Sequence, residues 1–131
     1  MESSSQVPAC RRRATFIVSK VARFVAWCLA IIVTVLSLVP PGMRPQTGAP
    51  RNLEHIAIFA ATGVAFGFGY SRRPGLVAMA LVLFAGAIEL AQTFVPGRHA
   101  RLSDFIVDAV TVGVAAAAAS IAATNILKHR V

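Results

Sequence analysis

Four runs of almost purely apolar residues, at about 21–39, 53–70, 76–95 and 104–127, take up most of this 131-residue chain. A helix needs about 20 such residues to cross the ~30 Å hydrocarbon layer of a bilayer. Four crossings with short connections therefore account for the length. The breaks between runs carry strong stop signals: Pro40-Pro41-Gly42, Arg72-Arg73-Pro74-Gly75 and Pro96-Gly97. The runs are rich in Ala and Leu, apolar on every side and without the alternation of a membrane strand, which selects helices over a barrel. The pattern predicts an all-α membrane protein, a bundle of four transmembrane helices. A polar basic tail at 1–19 precedes a transmembrane domain at 20–131.

Composition agrees. Charged residues make up 14% of the chain, against about 25% in a typical soluble domain, and the mean hydropathy is +0.70. The formal net charge of +8 raises nucleic acid as a partner. The basic residues, however, sit in tails and loops and form no stripe interleaved with aromatics, so they read as topology determinants and no nucleic-acid partner is expected. Cys10 and Cys28 have no metal-ligand spacing and support neither a disulfide framework nor a zinc site. No A-x-A site follows the first run, which reads as a retained anchor rather than a cleaved leader. Arg23, in the first turn of that run, can snorkel to the headgroups.

With four crossings, both tails and the Arg72-Arg73 turn share one side. That side holds nine Lys and Arg, and the other holds four, namely Arg44, Arg51, Arg98 and Arg101. The positive-inside rule then puts both termini in the cytoplasm.

This orientation gathers the rare acids in the outer half of the bilayer: Glu54 and His55 open the second run, Glu89 and Gln92 lie near the end of the third, and Asp104 and Asp108 open the fourth. Glu89 is expected about 9 Å below the end of a helix running to Val95. Ser103 is the expected N-cap of the fourth helix. Helical spacing puts Glu89 with Gln92 on one face, Asp104 with Asp108 and Thr111 on another, and His55 with Phe59 and Thr62 on a third. A charge at mid-span costs about 2.5–3.5 kcal/mol, so these groups are expected to face one another, with Arg98, Arg101 and Arg51 as the available cations. Such pairs can serve only to knit helices together. Their number on one side points further, to an outward-facing polar pocket.

His55 with Phe59, the Glu89-x-x-Gln92 pair, the Pro96-Gly97-Arg98 turn and Ser103-Asp104, in this order among small helical spans, resemble the VanZ-like membrane proteins over roughly residues 51–115. That family carries a D-K-x-x-H stretch, an E-x-x-Q pair, a p-x-R turn and a D-x-x-x-N-x-x-G segment. This chain departs from it with Arg51 and Asn52 for Asp and Lys, Asp108 for Asn, and Thr111 for Gly, with Gly113 nearby. The departures make the pocket more acidic. The family's founding members are associated with low-level resistance to teicoplanin, a lipid-tailed glycopeptide. The resemblance implies an envelope role in a bacterial plasma membrane and names no reaction.

The leading expectation is a protein that binds or remodels the headgroup of an envelope lipid, lipid-linked glycan or lipoglycopeptide through His55, Glu89, Gln92, Arg98, Arg101, Asp104 and Asp108. In an enzymatic alternative, His55 is a general base and Glu89 or Asp104 an acid acting on the same substrates. No HExxH, Gly-rich phosphate loop or Ser/His/Asp order supports it, although His55, Glu89, Asp104 and Asp108 would suit a hard cation. No resident metal or cofactor is expected. A proton-coupled carrier ranks lowest, because the inner halves of the runs are dry. A structural subunit of an envelope complex, or a homo-oligomer, is the remaining reading.

Overall fold

The computed structural model describes residues 7–43, 48, 50–97 and 101–128. They form four α-helices, α1 (Val7–Leu38), α2 (Arg51–Gly69), α3 (Pro74–Gln92) and α4 (Leu102–Lys128), with one 3₁₀ turn at Pro41–Met43. No strand occurs among the described residues. Thr15–Leu38, Pro74–Gln92 and Leu102–Ile126 are each long and apolar enough to cross a membrane. The apolar part of α2, Leu53–Gly69, is shorter. At 1.5 Å per residue it spans about 26 Å against the ~30 Å hydrocarbon layer.

The helix ends follow local chemistry. Pro50 precedes α2, and its carbonyl accepts from the amides of Leu53 and Glu54. Pro74 is pre-organised for the first turn of α3. That helix ends at Gln92, where Thr93 Oγ1 turns back to the carbonyl of Leu90 at 2.6 Å. Thr93, Phe94 and Val95 continue as tight i→i−3 turns, and Gly97 reverses the chain with φ 78°. The third helix is thus shorter than its apolar run, and Glu89 sits in its last turn rather than about two turns deep. At the other extreme, α1 runs back to Val7 through Arg11–Arg13, which the composition assigns to a polar tail.

Helix directions follow from which residues meet. Residues Ser19 to Trp27 of α1 meet Phe66 to Tyr70, so α1 and α2 are antiparallel. His55 meets Asp108, and Gly67 meets Ala116 and Ala119, so α2 and α4 are parallel. The last turn of α3 meets the start of α4. Small residues allow the closest approach: a Cβ on Gly63 would lie 2.5 Å from the carbonyl oxygen of Val112, and one on Gly67 2.5 Å from that of Ala116. Gly63 and Gly67, one turn apart, thus form a close packing face on α2, and the Ala-rich part of α4 is its counterpart.

All four helices contribute to the core, with Val33 from α1, Phe59 from α2, Leu81 from α3 and Val112 from α4. The outside is apolar as well: Phe24, Leu83 and Val114 are all well exposed. Water would penalise such a surface and lipid suits it. Buried hydroxyls bond to helix carbonyls, as with Thr62 to Ile58 and Ser120 to Ala116 and Gly67.

Candidate functional site

The start of α2, the end of α3 and the start of α4 meet at one end of the molecule and carry the buried side chains of Glu89, Gln92 and Asp108. Asp108 is 4% exposed, Gln92 5% and Glu89 8%. They form two separate arrangements.

In the first, Nδ1 of His55 lies 3.4 Å from Oδ2 of Asp108. The spacing His55, Phe59, Thr62 puts all three on the α4-facing side of α2, and the imidazole stacks on Phe59 with centroids 6.2 Å apart. A carboxylate only accepts, so Nδ1 is the donor of this contact. Nε2 of the same ring is buried and has no hydrogen-bond partner among the described residues.

In the second, Oε1 of Glu89 accepts the backbone N–H of Arg101 at 2.6 Å. Arg101 immediately precedes α4, and its carbonyl takes the amides of Asp104 and Phe105. Glu89 thus places negative charge at a helix N-terminus, where the dipole favours it. Among the described residues, the partner of Glu89 is this main-chain amide, and the Arg101 residue as a whole is exposed. Gln92, one turn beyond Glu89, is buried, and its Nε2 has no partner among the described residues.

The other expected residues divide. Asp104 is exposed and accepts from Ser103 Oγ at 3.1 Å, so it lies at the rim. Ser103 is inside α4 and is not its cap; Arg101 holds that position. Thr62 is fully buried and satisfied by its own helix, so it belongs to packing rather than to a pocket. Arg98 lies outside the described residues. Among the described residues, no group of three or more His, Cys, Asp or Glu comes together as a metal site. The quartet His55, Glu89, Asp104 and Asp108 is accordingly not assembled as a cation cage.

Sequence reasoning missed an arrangement at the opposite end. Arg23 does not simply snorkel outward. Its Nε donates to the carbonyl of Gly69 at 2.8 Å, and its guanidinium lies 4.7 Å from the centre of the Tyr70 ring. Ser19 Oγ donates to the same carbonyl at 3.2 Å. Only the i, i+4 spacing of Ser19 and Arg23 could have signalled a shared partner. No protein-family model, curated protein or solved structure matches the chain.

Proposed function

We propose that this chain is a four-span protein of a bacterial plasma membrane, with both termini cytoplasmic. In this reading its outward end binds the polar headgroup of an envelope lipid, lipid-linked glycan or lipoglycopeptide. The observation that carries the reading is a pair of buried nitrogens, Nε2 of His55 and Nε2 of Gln92, that have no hydrogen-bond partner among the described residues. Leaving such an atom unmade costs roughly 1–3 kcal/mol. A ligand supplying hydroxyl, amide or phosphate groups repays that cost at both positions. Asp104 and Arg101 at the rim, with Arg98 three residues before Arg101 in the sequence, add the charges that select an amine or an anion. The resemblance to VanZ-like proteins supports the same substrate class.

The His55–Asp108 pair favours a second reading. An imidazole held through Nδ1 by a carboxylate keeps Nε2 as a base, the orientation used in hydrolytic sites. In that reading His55 deprotonates water or an acceptor hydroxyl, and Glu89, already committed to the Arg101 amide, is not the acid.

The test is calorimetric titration of the purified protein with teicoplanin, a polyprenyl-phosphate-linked sugar and a phospholipid headgroup series. It is repeated on His55→Ala and Gln92→Ala variants of unchanged helix content. Binding to one of these, weakened at least about tenfold by each variant, is the expected result. Binding to none, or affinities unchanged in both variants, rejects the reading. Turnover of the bound lipid that is lost in Asp108→Asn would favour the enzyme.

A further inference from the structure

Away from the buried acids, a cleft of about 900 Å³ opens between α1, the end of α2 and the start of α3. Its volume falls within the range of roughly 300–1,000 Å³ usual for small-molecule sites. Three arginines line it, Arg23, Arg72 and Arg73, with the hydroxyl residues Ser19, Tyr70 and Ser71. Among the described residues, none of the three arginines forms an ion pair with a carboxylate. Phe16, Leu76 and Val77 supply an apolar wall.

Part of this lining is fixed in place. The Arg23 Nε bond to Gly69 and the stacking on Tyr70 hold that guanidinium in one orientation, and its two terminal nitrogens still carry donors. Trp27 Nε1 donates to the Tyr70 hydroxyl at 3.2 Å and so braces the same ring from α1. Arg72 and Arg73 arrive on the short turn that Pro74 closes.

We propose that this cleft is a binding site for the headgroup phosphate of an anionic phospholipid, with Arg23, Arg72 and Arg73 as its ligands. Arginines with no carboxylate partner among the described residues call for an anion, and a phosphodiester matches the guanidinium fork. The apolar wall distinguishes a lipid from a soluble phosphate. Phe16 and Leu76 are exposed, and the neighbouring surface of α1 is exposed at Ile17, Val21 and Phe24, so acyl chains have a surface to lie along while the headgroup fills the cleft. Basic recesses between membrane helices are a recurrent way of holding such headgroups. The site is independent of the His55 end, and either can fail without the other.

Trp27 is the only tryptophan in the chain and adjoins the cleft through Tyr70, so its fluorescence reports the lipid beside it. The full chain is placed in bilayers of dioleoylphosphatidylcholine containing increasing fractions of dibrominated phosphatidylglycerol or dibrominated phosphatidylcholine. The expected result is a relative binding constant for the anionic lipid about tenfold above that for phosphatidylcholine, falling to about twofold in Arg72→Gln/Arg73→Gln. Lys128→Gln/Arg130→Gln removes the same charge elsewhere and is expected to keep the preference. Arg23→Lys keeps the charge but loses the fork and is expected to lie between. Equal quenching by both lipids overturns the proposal. So does an equal loss in the two double variants, which would mark diffuse attraction. Displacement of the brominated lipid by millimolar inorganic phosphate overturns the lipid as occupant.

Discussion

The backbone N–H of Arg101 donates a 2.6 Å hydrogen bond to Oε1 of Glu89, so a buried carboxylate at the end of α3 holds the first residue before α4. This bond ties together two helices separated by a short turn, and it uses an amide that the helix itself leaves unsatisfied. Hydrogen bonds to charged groups contribute about 1.5–3 kcal/mol. Glu89→Ala is expected to lower unfolding free energy in detergent by about that amount, and Glu89→Gln, which keeps an acceptor oxygen, by about half. The measurement is a denaturant titration followed by Trp27 fluorescence. Equal stability of all three proteins would contradict a fastening role.

At the α2–α4 contact the margin is steric. Cβ atoms on Gly63 and Gly67 would meet backbone carbonyl oxygens at 2.5 Å, and backbone cannot swing aside as a side-chain tip can. Gly67→Val is therefore expected to force the helices apart and to cost about 1–3 kcal/mol, the usual range for overpacking. Val64→Leu, on the exposed side of the same helix, is expected to change little. A cross-link yield between cysteines placed at 60 and 112, falling in Gly67→Val and unchanged in Val64→Leu, checks the displacement directly.

What the sequence disclosed depended on whether the cause was local. Helix breaks were legible because Pro74 and Pro96-Gly97 act within a few residues. Gly63 and Gly67 were legible because their spacing places them on one face. The start of α1 was not, because Arg favours helix nearly as well as Leu does, and polarity alone does not distinguish a polar helix from a polar tail. The end of α3 was overrun because Thr93, Phe94 and Val95 remain apolar enough to extend the run after the i→i−4 bonding has stopped. The pairing of His55 with Asp108 could be anticipated from two helix faces, since buried ionisable groups seek each other. The choice of a main-chain amide for Glu89, and the capture of Arg23 by a carbonyl 46 residues away, are tertiary events that no local pattern encodes.

Topology offers a direct check on the orientation proposed from charge. The short α2 is the element in question, because its apolar part is about 26 Å long and falls below the length of the other three. If all four helices cross, a reporter fused after residue 73 is cytoplasmic and one after residue 99 is external. Lysine replacements at 44 and 98 are neutral to this outcome, since they keep the charge. If α2 does not cross, the fusion after residue 73 is external and the one after residue 99 cytoplasmic, the reverse of the expected result; both fusions on one side would mean that α3 does not cross.

Gln92 separates a binding role from a packing role most sharply. It is 5% exposed, and its Nε2 has no partner among the described residues, so in the free protein it costs stability instead of adding it. Gln92→Met fills nearly the same volume without the polar atoms. It is expected to raise unfolding free energy by about 1 kcal/mol, because a buried group that lacks its hydrogen bond is removed. The same variant is expected to weaken headgroup binding at least about tenfold, because the donor the ligand would engage is gone. Opposite movements in stability and affinity are the signature of a side chain retained for function at a cost to folding. Loss of stability together with loss of binding would instead make Gln92 part of the core, and the proposed headgroup site would then rest on His55 alone.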